Sequence, residues 1–141
     1  EEFTARIRGT LEKYPYLAAV EDGVIVGYAY AGPFHPRAAY GWAAEATIYL
    51  SHSCRHHGLG KRLYHALEEC LKLQGVLNLN ACIAVPEADD EYLTRNSLGC
   101  HTRWYNMVWM EKLLGPHTVP AVPVRPFPQV RAEAEQLLRG C

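Results

Sequence analysis

The stretch from Ala44 to Ile83 constrains the fold of this chain more than any other. It holds Arg55-His56-His57-Gly58-Leu59-Gly60-Lys61-Arg62, a glycine-containing turn that follows the β-prone run Ala44 to Leu50. From Leu59 onward Leu63, Ala66, Leu67, Cys70 and Leu71 recur at the spacing of one helix face, and Gly75 stands where a C-terminal cap belongs. Leu77, Leu79, Ala81 and Ile83 then alternate with Asn78, Asn80 and Cys82, the period of a strand whose two faces differ. Strand, glycine turn, helix and strand make a βαβ unit, which places the chain in the α/β class.

The flanks extend this unit. Phe3 to Lys13 carries Ile7 and Leu11 at helical spacing, and Tyr14-Pro15 stops the pattern. Leu17 to Val20 and Val24 to Ala31 are β-prone runs joined by Asp22-Gly23, a dipeptide suited to a tight hairpin. Gly32 to Gly41, with two prolines and Arg37, reads as an excursion before the next strand. Arg103 to Leu113 predicts a last, aromatic-rich strand, Pro116 to Pro128 an extended arm and Val130 to Arg139 a closing helix.

At 141 residues the chain amounts to one compact unit, and no apolar run approaches the length of a membrane span. A net charge of −1 without a basic tract gives no field for nucleic acid, so any anion site has to be local. Five cysteines with no C-x-x-C pair fit neither a disulfide framework nor a zinc site and read as reduced cytosolic thiols. The opening Glu1-Glu2-Phe3 shows no signal peptide, and a cytoplasmic location is expected. His52, His56, His57 and His65 gather around the turn without an acidic or Cys partner at ligand spacing, so no metal is expected.

Glycines before a helix let the backbone approach a ligand, and the first helical N–H groups point outward unpaired. With the helix dipole and Lys61 and Arg62 close by, such a turn holds a pyrophosphate well; the same residues also suit a plain helix start. A P-loop is excluded, because Arg55 and Arg62 stand where it needs Gly and Ser or Thr. The dinucleotide fingerprint is excluded by Leu63, where it needs its third glycine.

The pattern R/Q-x-x-G-x-G/A does fit, through Arg55, Gly58 and Gly60, and with it the chain resembles the GNAT superfamily of acyl-CoA N-acetyltransferases. Tyr14-Pro15-Tyr16, Gly27-Tyr28-Ala29-Tyr30-Ala31-Gly32-Pro33, Tyr40, Trp42 and Glu45-Ala46-Thr47-Ile48-Tyr49-Leu50 resemble its phosphinothricin acetyltransferase branch. The likeness covers Phe3 to Ser97 and resumes at Arg103 to Leu113. It implies a layered fold with a mixed central sheet flanked by helices. It also implies acetyl-coenzyme A as co-substrate and direct transfer to a small-molecule amine.

In the family the strand matching Ala46 to Leu50 splays from its neighbour, and its free backbone pairs with pantetheine; that role passes to Ile48 and Leu50, with Tyr49 between them. The pyrophosphate would rest on backbone N–H groups from Gly58, Leu59, Gly60, Lys61 and Arg62, within the turn that Arg55, His56 and His57 begin. Glu45 matches the branch's general base, its bland alternative being a solvated strand-end Glu. Asn96-Ser97-Leu98-Gly99-Cys100-His101 aligns so that His101 takes the place of the branch's histidine, although registering Leu98-Gly99 on the branch's Leu-Gly turn puts Arg95 there instead. Arg37 matches a position facing the acceptor, able to pair with an amino-acid carboxylate, and Tyr28, Tyr30 and Phe34 would line the same pocket.

After His101 the chain passes at once to Arg103, where the family has the rest of a helix, a strand and a loop, so no general acid is assigned. The expected organisation is an acetyltransferase domain over 1–114 and an arm with a short helix over 115–141, packing on the domain or on a second subunit of a homodimer. The expected activity is acetylation of a small amino-acid-like acceptor such as phosphinothricin, methionine sulfoximine or methionine sulfone. The alternatives are a non-catalytic coenzyme-binding domain and a peptide or protein N-acetyltransferase.

Overall fold

A computed structural model describes residues 1–54, 58–85 and 106–139. Helix α1 (Glu2–Leu11) ends as Tyr14-Pro15 demands and leads into the hairpin of β1 (Tyr16–Glu21) and β2 (Val24–Pro33). Asp22 and Gly23 both take positive φ, 49° and 79°, the twisted turn that a two-residue hairpin prefers. After a 3₁₀ turn at Ala38–Tyr40 comes β3 (Ala43–Leu50), then helix α2 (Leu59–Gln74), β4 (Asn78–Val85), β5 (Asn106–Leu113) and helix α3 (Phe127–Leu138).

The described strands form one mixed sheet in the order β1-β2-β3-β4-β5, with β3 and β4 parallel and the remaining pairs antiparallel. Helix α2 is therefore the crossover of the βαβ unit that the glycine turn predicts. It packs over Ala29, Ala31, Ala44, Ala46 and Leu79 through Leu63, Leu67 and Leu71, all buried. Small side chains on β2 and β3 let the helix lie close to the sheet. Gly75 caps it in the left-handed region at φ 88°, as its position in the sequence predicts.

Behind α2 lies α3, with Phe127, Val130 and Ala134 buried against Cys70. The sequence reading starts this helix at Val130; it begins three residues earlier, because Pro128 occupies the first turn, where a missing N–H costs nothing. The proline-rich arm before it is tied to the domain. Trp42 Nε1 donates to Val122 O at 2.7 Å, and Gln74 Nε2 donates to Lys13 O and Arg125 O at 2.7 and 2.8 Å.

Candidate active site

The ladder between β3 and β4 is short. Ala43, Ala44 and Glu45 face Asn78, Leu79 and Asn80, and among the described residues the pairing stops there. Beyond that point β3 stays on β2, as far as Leu50 opposite Gly27, while β4 stays on β5, as far as Val85 opposite Asn106. The two parallel strands thus open into a wedge whose apex is Glu45 and Asn80.

Register decides which backbone groups line this wedge. Ala43 O accepts from Phe34 N–H and Ser51 N–H donates to Val26 O, so the odd residues of β3 turn their peptide groups toward β2. In an antiparallel ladder alternate residues point the other way. Ile48 and Leu50, with the C=O of Ala46, therefore face the open wedge, an edge that no described backbone group pairs with.

At the wide end of the wedge α2 begins. Gly58 holds its N-cap position at φ 76°, in the left-handed region that glycine accepts, and no side chain caps the helix. The first intrahelical bond runs from Arg62 N–H to Gly58 O at 3.1 Å. Among the described residues the N–H groups of Leu59, Gly60 and Lys61 have no partner, whereas the Arg62 amide, counted among the phosphate donors on sequence grounds, is already engaged. Lys61 and Arg62 side chains are exposed at this positive helix end. A Cβ on Gly60 would meet Leu50 Cδ1 at 3.1 Å, so the second glycine seats the helix start directly on the end of β3.

The sheet face away from α2 carries the polar and aromatic side chains. Cross-strand register sets Gly32, Glu45, Asn80 and Glu111 in one row across β2, β3, β4 and β5. Glu45 is half-buried and Asn80 is 6% exposed, its Nδ2 donating to Ala44 O at 3.4 Å. On one side of this row lies a ladder of tyrosines: Tyr16 stacks on Tyr30 at 5.0 Å between ring centres and Tyr28 lies 5.0 Å from Tyr49, with Phe3 of α1 edge-on to Tyr28 at 6.3 Å. Burial, then the neighbouring phenols, push Tyr16 and Tyr28 above the usual tyrosine value, so their hydroxyls stay protonated. On the other side lies a cleft of about 270 Å³ with Phe34, Tyr40 and Trp42 in its wall and Asn78, Asn80 and Glu111 facing it.

These placements sort the sequence-predicted residues. Ile48, Leu50, Gly58, Leu59, Gly60 and Lys61 gather around the wedge, Glu45 marks its apex, and Phe34 lines the adjoining cleft. Tyr49, Tyr28 and Tyr30 belong to the tyrosine ladder rather than to the cleft wall. Arg37 is exposed at the head of the 3₁₀ turn and is not among the cleft-lining residues. Arg55, His56, His57 and His101 lie outside the described residues. Sequence reasoning missed Glu111; the signal available was Asn78 and Asn80, two amides on one face of an otherwise apolar strand, which a partner strand has to match. Among the described residues no group of three or more His, Cys, Asp or Glu could hold a metal ion, and no helix is long and apolar enough to cross a membrane.

A mixed sheet parted between two parallel strands, with a bare helix N-terminus at the mouth, is the frame of an acyl-coenzyme A N-acyltransferase. Residues 1–99 match the Acetyltransferase (GNAT) domain family, and the chain belongs to it. Within the family it is similar to the phosphinothricin N-acetyltransferase of Streptomyces viridochromogenes, at 34% identity over 131 residues, covering 84% of this chain and 70% of that protein. The crystal structure of a GNAT superfamily phosphinothricin acetyltransferase from Sinorhizobium meliloti, in complex with AcCoA, superposes with a TM-score of 0.71 at 31% identity, covering 87% of this chain and 73% of that one. A ribosomal-protein-alanine N-acetyltransferase from Brucella melitensis superposes at 0.62 with 28% identity, covering 79% and 74%. The expected fold, family and enzyme class are all supported by these likenesses.

Proposed function

We propose that the chain transfers the acetyl group of acetyl-coenzyme A to the amine of a small amino-acid-like acceptor, of the phosphinothricin, methionine sulfoximine or methionine sulfone type. The observation that carries this reading is the wedge: a β3 edge at Ile48 and Leu50, unpaired among the described residues, that leads from the α2 N-terminus to Glu45. Pantetheine amides pair with such an edge as an added strand would. The pyrophosphate takes the N–H groups of Leu59, Gly60 and Lys61. This lays the thioester at the apex, where the row of polar side chains begins.

An ammonium cannot attack a thioester, so the acceptor has to lose a proton first. Glu45 takes that proton, the amine nitrogen forms its bond to the acetyl carbon, and the carbon–sulfur bond breaks. The departing thiolate picks up a proton and leaves as coenzyme A. The acceptor enters from the face opposite α2, through the cleft beside Phe34. The likeness to phosphinothricin acetyltransferases over most of the chain favours an amino-acid-like acceptor over a peptide.

Glu45→Gln keeps the shape of the side chain and removes the base. Turnover is expected to fall by about 10²–10⁴-fold while the affinity for acetyl-coenzyme A is unchanged. Near-normal turnover in that variant overturns the assignment of Glu45.

A further inference from the structure

Glu111 has no part in the acetyl transfer derived above, yet it stands in the same row as Glu45. The two are separated only by Asn80, so their Cβ atoms lie two strand spacings apart, about 10 Å. Glu111 is exposed to the cleft, and its Oε1 accepts a hydrogen bond from Asn78 Nδ2 at 2.7 Å. Among the described residues its other oxygen has no partner. That bond fixes the carboxylate on the cleft side of the strand instead of leaving it to wander in solvent.

The charge and walls of the cleft select what the carboxylate can meet. Among the described residues that line the cleft, Glu111 is the lone carboxylate, no Lys or Arg joins it, and His117 is the one imidazole. Phe34 and Tyr40 meet edge to face at 5.8 Å between ring centres, with Trp42 beside them. Aromatic faces around a carboxylate favour a cation, because ring quadrupole and carboxylate attract it together.

We infer that the cleft is a cation subsite in which Glu111 holds a positively charged far end of the acceptor while the reacting amine lies at Glu45. The inference rests on the acetyl-transfer reading for its second half and adds to the phosphinothricin-type acceptors a second class: amino acids whose side chain ends in an ammonium or guanidinium. The span between the two carboxylates matches a side chain of three or four carbons between the amines. Glu111 is then a specificity-determining residue, and phosphinothricin-type acceptors gain nothing from it.

The test compares L-ornithine with L-norvaline, which differ by the terminal ammonium, in coenzyme A release by the wild-type chain and by Glu111→Gln and Glu111→Asp. Glutamine keeps an oxygen for the Asn78 amide, so the fold has no reason to change. The wild-type kcat/KM ratio is expected to favour ornithine by about tenfold or more, carried by KM, as one hydrogen bond to a charged group predicts. In Glu111→Gln the ratio should collapse toward unity, and Glu111→Asp should restore part of it. A wild-type ratio near one, or a preference that survives Glu111→Gln, overturns the subsite. Titration calorimetry with the same two amino acids separates the two readings. Glu111-dependent ornithine binding without coenzyme release upholds the subsite and overturns acetyl transfer, whereas release with no Glu111-dependent binding does the reverse.

Discussion

Gly60 joins the helix that would hold the pyrophosphate to the strand that would hold pantetheine, so a graded series at this position tests their alignment. A Cβ there meets Leu50 Cδ1 at 3.1 Å, the far end of a side chain that can yield by a few tenths of an ångström. Alanine also removes about 0.5–1 kcal/mol of the cost of a glycine in a helix. The two effects offset, and Gly60→Ala should move Tm by less than about 4 °C, since 1 kcal/mol corresponds to about 2–4 °C in chains of this size. Tryptophan has no such outlet. Leu50 Cδ2 already packs over Gly27, in the space a Cβ there would need, so Leu50 can yield by a few tenths of an ångström but not by the width of an indole. The indole has to lever the first turn of α2 away from β3, and the amides of Leu59, Gly60 and Lys61 go with it. A hydrogen bond to a charged group contributes about 1.5–3 kcal/mol, so losing even one weakens coenzyme binding about ten- to a hundredfold. Calorimetric titration with coenzyme A, beside a melting curve, reads both quantities. Adding Leu50→Ala to the Gly60→Trp variant should recover part of the affinity, a coupling expected only of residues in contact. Unchanged affinity in Gly60→Trp at unchanged Tm refutes the reasoning.

Two further outcomes follow from packing away from the site. Trp42→Phe deletes the 2.7 Å bond to Val122 O, costs about 1 kcal/mol and should speed proteolytic cleavage within 116–125; an unchanged digestion pattern contradicts the clasp. Burial, with the Glu69 carboxylate adding to it, pushes the Cys70 thiol up to about 11. The folded value lies above the unfolded one, so this contribution to stability is full below the unfolded value near pH 9 and is lost as pH rises toward 11. At pH 8 a thiol reagent should modify Cys54 and Cys82, which are partly exposed, and spare Cys70 until the chain unfolds. Modification of Cys70 at the rate of Cys54 contradicts its burial.

Local chemistry made much of the fold legible. Asp22-Gly23 specifies its turn because both residues tolerate positive φ, and Gly58 and Gly75 mark the ends of α2 for the same reason. Phe127 was hidden because proline, which breaks a helix interior, is tolerated in its first turn. The wedge is of another kind. Alternation along Ala44 to Leu50 says which side chains are buried, but not where one neighbour lets go, since backbone pairing has no residue signature; the resemblance to the family supplied that expectation. Glu111 was illegible for a related reason. Its row with Glu45 joins strands 66 positions apart in the chain, and only register reveals it.

The wedge also suits Glu45 to the role of base proposed for it. Strand pairing holds it rigidly on both sides, opposite Gly32 and Asn80, at the last point where β3 is fully paired. A base there is fixed in place while the peptide edge beside it stays open to a ligand.

The most direct test of acetyl transfer is release of free coenzyme A from acetyl-coenzyme A across a panel of amino acids that includes phosphinothricin, methionine sulfoximine and methionine sulfone. Release that depends on the acceptor is the predicted result. Coenzyme binding with no release for any acceptor contradicts the account and leaves a coenzyme-binding domain without catalysis.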